Sequence, residues 1–109
     1  MRIFPPIPPF PLAFNVLFSR RKYAAEALKL PPELSSQLRR AAVSIINNTK
    51  EGSARRSWPD RRRFYDIAFG SAKECQGILE TAKVRDAIIV DRADHLGACL
   101  YKMARPKRA

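Results

Sequence analysis

Residues 37–74 read QLRRAAVSIINNTKEGSARRSWPDRRRFYDIAFGSAKE, and this stretch decides the fold. Leu38, Ala41, Ala42 and Ile45 recur at spacings of three and four, which puts them on one helical face. Gly52 follows the run and predicts its end, because glycine takes the left-handed conformation of a helix stop without steric penalty. Ser57 is placed to accept the first amides of a new helix, and Asp60 stands three residues on, as in a capping box. Pro59 suits the first turn, where its missing N–H is not needed. From Phe64 the apolar line continues through Ala68, Ser71, Cys75, Ile78 and Ala82. The pattern predicts an antiparallel helical hairpin whose connection and second helix start carry Arg55, Arg56, Arg61, Arg62 and Arg63.

Upstream, residues 1–11 hold five of the nine prolines, a density that forbids a helix and favours an extended arm. The arm is apolar, but its prolines break the run, Arg2 is its only basic residue and no small-residue cleavage site follows, so it does not read as a secretory signal. It reads as a loosely ordered tail or as a Pro-rich ligand for a partner domain. Residues 12–30 predict a first helix, with Phe14, Leu17, Phe18, Ala24, Ala25 and Leu28 on one face and Arg20, Arg21 and Lys22 interrupting it. Pro31 and Pro32 stop it. The second predicted helix runs from Glu33 to about Glu51. Asn48 falls on its apolar line, which calls for an interhelical or loop-capping hydrogen bond that fixes register, or for a ligand contact.

The third predicted helix runs from about Trp58 to Lys83, close to ~40 Å at the usual rise. Gly70 lies in its interior beside Ser71, and a close helix crossing is expected to offset the penalty of a mid-helix glycine. Asp86 can cap a fourth helix, whose line is Ile89, Ala93, Leu96, Leu100 and Met103. Pro106 ends it, and residues 106–109 form a basic tail. The expected class is all-α: an antiparallel up-down four-helix bundle over residues 12–105, with a proline-rich N-terminal arm over residues 1–11.

A chain of 109 residues makes one domain with one core. The net charge of +11 and pI near 10.5 predict attraction to nucleic acid, an anionic membrane or acidic proteins. Residues 1–63 hold 13 Lys/Arg against 4 Asp/Glu, whereas residues 64–109 hold 8 against 6, so the excess is clustered rather than spread evenly. Cys75 and Cys99 lack a CxxC spacing and read as reduced, buried thiols of a cytoplasmic protein. No apolar run approaches the ~20 residues that span a bilayer.

The stretch resembles a bacterial family, the four-helix bundle or 23S rRNA intervening-sequence proteins, to which the accessory proteins of diversity-generating retroelements are similar. Its signature is met here by Gln37, Arg39, Arg40, Ala41, Ala42, Ser44, Ile45, Asn48, Glu51 and Gly52, then by Gly70, Ser71 and Glu74 beyond the basic loop. Ile46 stands where the family usually has proline, and Thr49 and Lys50 where it usually has apolar residues. The family's first helix is normally longer, the proline arm here replacing its beginning. The resemblance implies a left-handed antiparallel bundle that often assembles into rings, commonly pentamers. Nucleic-acid binding is reported for the retroelement branch.

The chemistry lies in the arginines. Arg61, Arg62 and Arg63 sit where the helix dipole disfavours cations by about 0.3–1 kcal/mol each, a local penalty expected where function overrides stability. Arginines at a helix start make an anion site that suits phosphate, and Trp58 and Tyr65 are placed to stack on unpaired bases. Trp58 can instead fold back on the bundle as a staple. Arg39 and Arg40 either extend the patch or pair with acids. The expected function is non-catalytic binding of RNA or DNA with little sequence specificity, by a homo-oligomer. The competing expectation is a structural or protein-interaction module with no nucleic-acid role. For such a module the discriminating feature is an even coat of charge, which the clustering disfavours. Catalysis, a cofactor and a metal are not expected: His95 is the lone histidine, Cys75 is on a core line, and Glu51 and Glu74 have no acid/base partner in view.

Overall fold

A computed structural model describes residues 30–106. They form three α-helices and no strand: α1 (Pro32–Ala54), α2 (Trp58–Thr81) and α3 (Ala87–Ala104), matching the second, third and fourth predicted helices. The expectation of a four-helix bundle is therefore corrected to three antiparallel helices among the described residues. Only three periodic segments lie between Pro31 and Pro106, and two short connections join them. The predicted first helix, the proline arm and residues 107–109 of the tail lie outside the described residues, apart from Leu30, which packs at the core edge.

α1 starts where two prolines pre-set the first turn, with Ser35 N–H donating to the Pro31 carbonyl at 2.9 Å. The helix does not stop at Gly52. It runs on to Ala54, and no glycine has a positive φ. Gly52 is buried in the helix instead, and close approach of α2 explains why. A Cβ there would meet Cε1 of Tyr65 at 2.5 Å, Cδ1 at 2.8 Å and the Arg61 carbonyl at 3.2 Å.

α2 is capped as the sequence predicts: Ser57 Oγ accepts from the Asp60 N–H at 3.3 Å. It ends in a Schellman motif, with Val84 N–H on the Leu79 carbonyl and Lys83 N–H on the Glu80 carbonyl, both at 3.0 Å. The left-handed position is Lys83 (φ 57°), where glycine is the usual residue. Asp86 caps α3 through Oδ1, which accepts from Ile88 N–H at 3.0 Å and Ile89 N–H at 3.2 Å.

α2 is the central element, packed on α1 on one side and on α3 on the other. The core joins Leu38, Ala41 and Ile45 of α1 to Ala68, Ala72 and Cys75 of α2 and to Ile89, Leu96 and Leu100 of α3. Serving two neighbours shifts α2's buried stripe from the predicted one. Tyr65, Ala72 and Leu79 are buried, while Phe64, Ser71 and Ala82 are only partly covered. Ser71 Oγ bonds Ser44 Oγ across the hairpin at 2.7 Å. Asn48 Nδ2 donates to the Ser44 carbonyl at 2.8 Å and to Ser44 Oγ at 3.1 Å, both within α1, so the bond across the hairpin is made by Ser44 and not by Asn48. Gly70 is exposed, with nothing within 4 Å of a Cβ, so the expected crossing at that glycine is absent among the described residues.

Candidate nucleic-acid interface

Antiparallel packing brings the end of α1, the start of α2 and the end of α3 to one end of the molecule. Arg55, Arg56, Arg61, Arg62 and Arg63 gather there, and Arg105 joins them, its Nη2 3.5 Å from Asp66 Oδ1. Six arginines stand against Glu51, Asp60 and Asp66.

Four of the arginines are held in two groups, while Arg61 is half-buried in the first turn of α2. On one side Phe64 leans out of the core, with the guanidinium carbons of Arg55 and Arg63 at 5.0 Å and 4.5 Å from its ring centre. Arg55 also pairs with Glu51, and Arg63 lies 3.7 Å from Asp60. On the other side Asp66 receives Arg62 at 3.7 Å as well as Arg105, and Arg105 stacks on Tyr101 at 4.3 Å. These pairs are all solvent-exposed. Such pairs contribute about 0–1 kcal/mol, so a phosphate can replace the carboxylate with little loss of stability. Arg56 is exposed and forms no ion pair among the described residues.

The predicted anion site at the α2 helix start is not built as expected. The Asp60 N–H is taken by Ser57 Oγ, the Arg61 N–H by the Ser57 carbonyl at 3.0 Å, and Pro59 has none. Phosphate chemistry at this end belongs to the arginine side chains. Tyr65 is buried, and its hydroxyl lies 3.2 Å from Ser53 Oγ, so it is not placed to stack on a base. Trp58 is half-buried against the core, its ring centre 6.5 Å from that of Tyr65 and tilted by 57°, the staple arrangement. Arg39 and Arg40 are exposed on α1, about 24 Å along the helix from the loop, and are not brought into the cluster. Glu74 is exposed and makes no ion pair among the described residues.

Sequence reasoning missed Arg105 and Phe64. The antiparallel connection of α2 and α3 was the available signal for Arg105, because it places the last residues of one helix beside the first of the other. The apolar line places Phe64 in the core, although Tyr65, one position on, is the residue that fills it.

The thiols are poorly suited to nucleophilic chemistry. Burial, with the Glu74 carboxylate adding to it, pushes the Cys75 thiol up to about 12. Cys99, expected to be buried, is only partly covered on the outer helix; that partial burial still raises its thiol, against the opposing pull of Lys102, and its sulfur lies 3.6 Å from His95 Nε2. Among the described residues no three metal-ligating side chains gather, and no helix is long and apolar enough to cross a membrane.

Fold and site together define a small basic protein whose described residues are all α-helical, in antiparallel hairpins with a cluster of arginines at one end. The chain belongs to the 23S rRNA-intervening sequence protein family, whose profile matches residues 23–105. It matches no curated protein and no solved structure.

Proposed function

We propose that the protein binds nucleic acid without catalysis, through the arginine-rich end and with little sequence specificity, as a cytoplasmic homo-oligomer. The observation that carries this reading is the convergence of Arg55, Arg56, Arg61, Arg62, Arg63 and Arg105 at one end of the molecule, four of them (Arg55, Arg62, Arg63 and Arg105) in exposed ion pairs that a polyanion can take over. Phosphates exchange for carboxylates there, released counterions drive association, and contacts to the backbone carry no sequence information. Assembly repeats the patch on each subunit and raises avidity.

The comparison of two variants tests this reading. Arg61→Gln/Arg62→Gln/Arg63→Gln removes three cations from the cluster, and Arg39→Gln/Arg40→Gln removes two from a distant face. The triple variant is expected to weaken binding of duplex and single strands alike by at least tenfold at physiological salt, with helix content unchanged. The double variant is expected to have a much smaller effect. Equal effects per charge removed would point to net charge alone rather than to a patch.

A second reading, an interaction module without a nucleic-acid role, draws on Val43, Ile67, Ile88 and Val90, which are 44–51% exposed. Apolar side chains of that exposure suit a protein contact. Light scattering at tens of micromolar tests assembly. A monomer there removes the oligomer from the proposal and leaves the patch as a property of the single chain.

A further inference from the structure

The groove between α2 and α3 holds aromatic and basic side chains that the arginine end does not use. It has a volume of about 340 Å3 and is lined by Phe69, Lys73, Gln76, Asp94, Tyr101 and Lys102, among others. Tyr101 is 49% exposed and meets Phe69 edge-to-face at 5.6 Å. Arg105 covers Tyr101 at 4.3 Å, and Lys73 lies 5.8 Å from the centre of Phe69. Because Arg105 also reaches Asp66, the groove continues directly from the arginine end.

We propose that this groove binds an unpaired strand of RNA, with one base stacked on Tyr101. The inference rests on the nucleic-acid reading above and names the form of ligand. Stacking needs a base face, which a duplex hides and a single strand offers. Arg105 turns from the ring to a phosphate, exchanging one exposed cation contact for another, and the base takes its place on Tyr101. Lys73 and Lys102 flank the path of the backbone.

The acid in the groove selects the sugar. Lys73 Nζ donates to Gln76 Oε1 at 3.2 Å, and Gln76 Nε2 donates to Asp94 Oδ1 at 3.4 Å. A carboxylate there repels phosphate, whereas a ribose 2′-hydroxyl donates to it and accepts from the neighbouring amide. DNA lacks that group.

The experiment uses the full chain and a ten-nucleotide oligoadenylate carrying one 2-aminopurine, as RNA and as DNA, beside an RNA duplex. Wild type is expected to quench the 2-aminopurine emission. Tyr101→Leu is expected to weaken single-strand RNA binding by about 5- to 150-fold and leave duplex binding unchanged. Asp94→Ala is expected to abolish the preference for RNA over DNA. Absence of quenching by a wild-type protein that binds the duplex overturns the groove proposal and leaves the arginine end standing. So does a Tyr101→Leu loss that is equal on both forms, or no loss at all. Equal wild-type affinity for the two oligoadenylates overturns the choice of RNA. Wild type that binds none of the three probes overturns the nucleic-acid reading itself. If Tyr101→Leu fails to fold, the quenching by wild type decides.

Discussion

Gly52 lies against the ring of Tyr65 so closely that a Cβ at position 52 would stand 2.5 Å from Tyr65 Cε1. Both residues are buried, and the Tyr65 hydroxyl reaches Ser53 next to the glycine. The contact sets how tightly the first turns of α2 close on the end of α1, and so how near the loop arginines come to those of the helix start.

Gly52→Ala should therefore destabilise the protein by about 1–3 kcal/mol, the usual range for overpacking. Gly70→Ala, on an open face of α2, should stabilise it by up to ~1 kcal/mol through helix propensity. Urea unfolding of the two variants checks the pair. Equal and opposite signs to these, or two neutral substitutions, would show that Gly52 is not confined by the tyrosine.

Lys83 holds the left-handed position of the Schellman motif at φ 57°. An L side chain there is disfavoured by roughly 1–2 kcal/mol. Lys83→Gly should raise stability by about 1 kcal/mol, because the entropy of a more flexible unfolded chain offsets part of the gain. Thermal unfolding reads this as an upward shift of the midpoint. A lowered midpoint contradicts the assignment of strain to this residue.

Burial of Cys75 carries a dependence on alkaline pH. Its thiol is raised from 9.0 to about 12 in the folded state. Above pH 9 the unfolded chain loses this proton while the folded chain keeps it. The stabilisation is complete below pH 9 and is lost as pH rises towards 12, at a slope approaching ~1.4 kcal/mol per pH unit. Cys75→Ala should lose that part of the slope whatever its absolute stability, since the other groups are the same in both proteins. Parallel pH profiles for the two would contradict the burial argument. A thiol reagent should likewise modify Cys99 well before Cys75.

α3 was legible in full: Ile89, Ala93, Leu96, Leu100 and Met103 are all buried, because an outer helix buries a single stripe and the 3-4 spacing reports it. α2 was read one position off at Phe64 and Tyr65, since a helix between two partners buries a wider face than one line describes. The hairpin and the Ser57 and Asp86 caps followed from local chemistry. Gly52 was misread because a glycine that ends a helix and one that admits a neighbouring ring look alike in sequence. The arginine cluster was visible where it is local and invisible at Arg105, which only tertiary packing delivers. Thr49, a polar departure from the family pattern, proves buried, and among the described residues its hydroxyl has no hydrogen-bond partner.

A salt titration of binding shows whether the arginine end neutralises phosphates. If about five phosphates are neutralised per subunit, log affinity should fall against log salt with a slope near −4 to −5 on duplex DNA and less steeply on single strands. Removing Arg61, Arg62 and Arg63 together should flatten that slope by about 2 to 3. If wild type and the triple glutamine variant follow the same line on RNA and DNA, or if neither binds near physiological salt, the account is contradicted and the interaction-module reading takes its place.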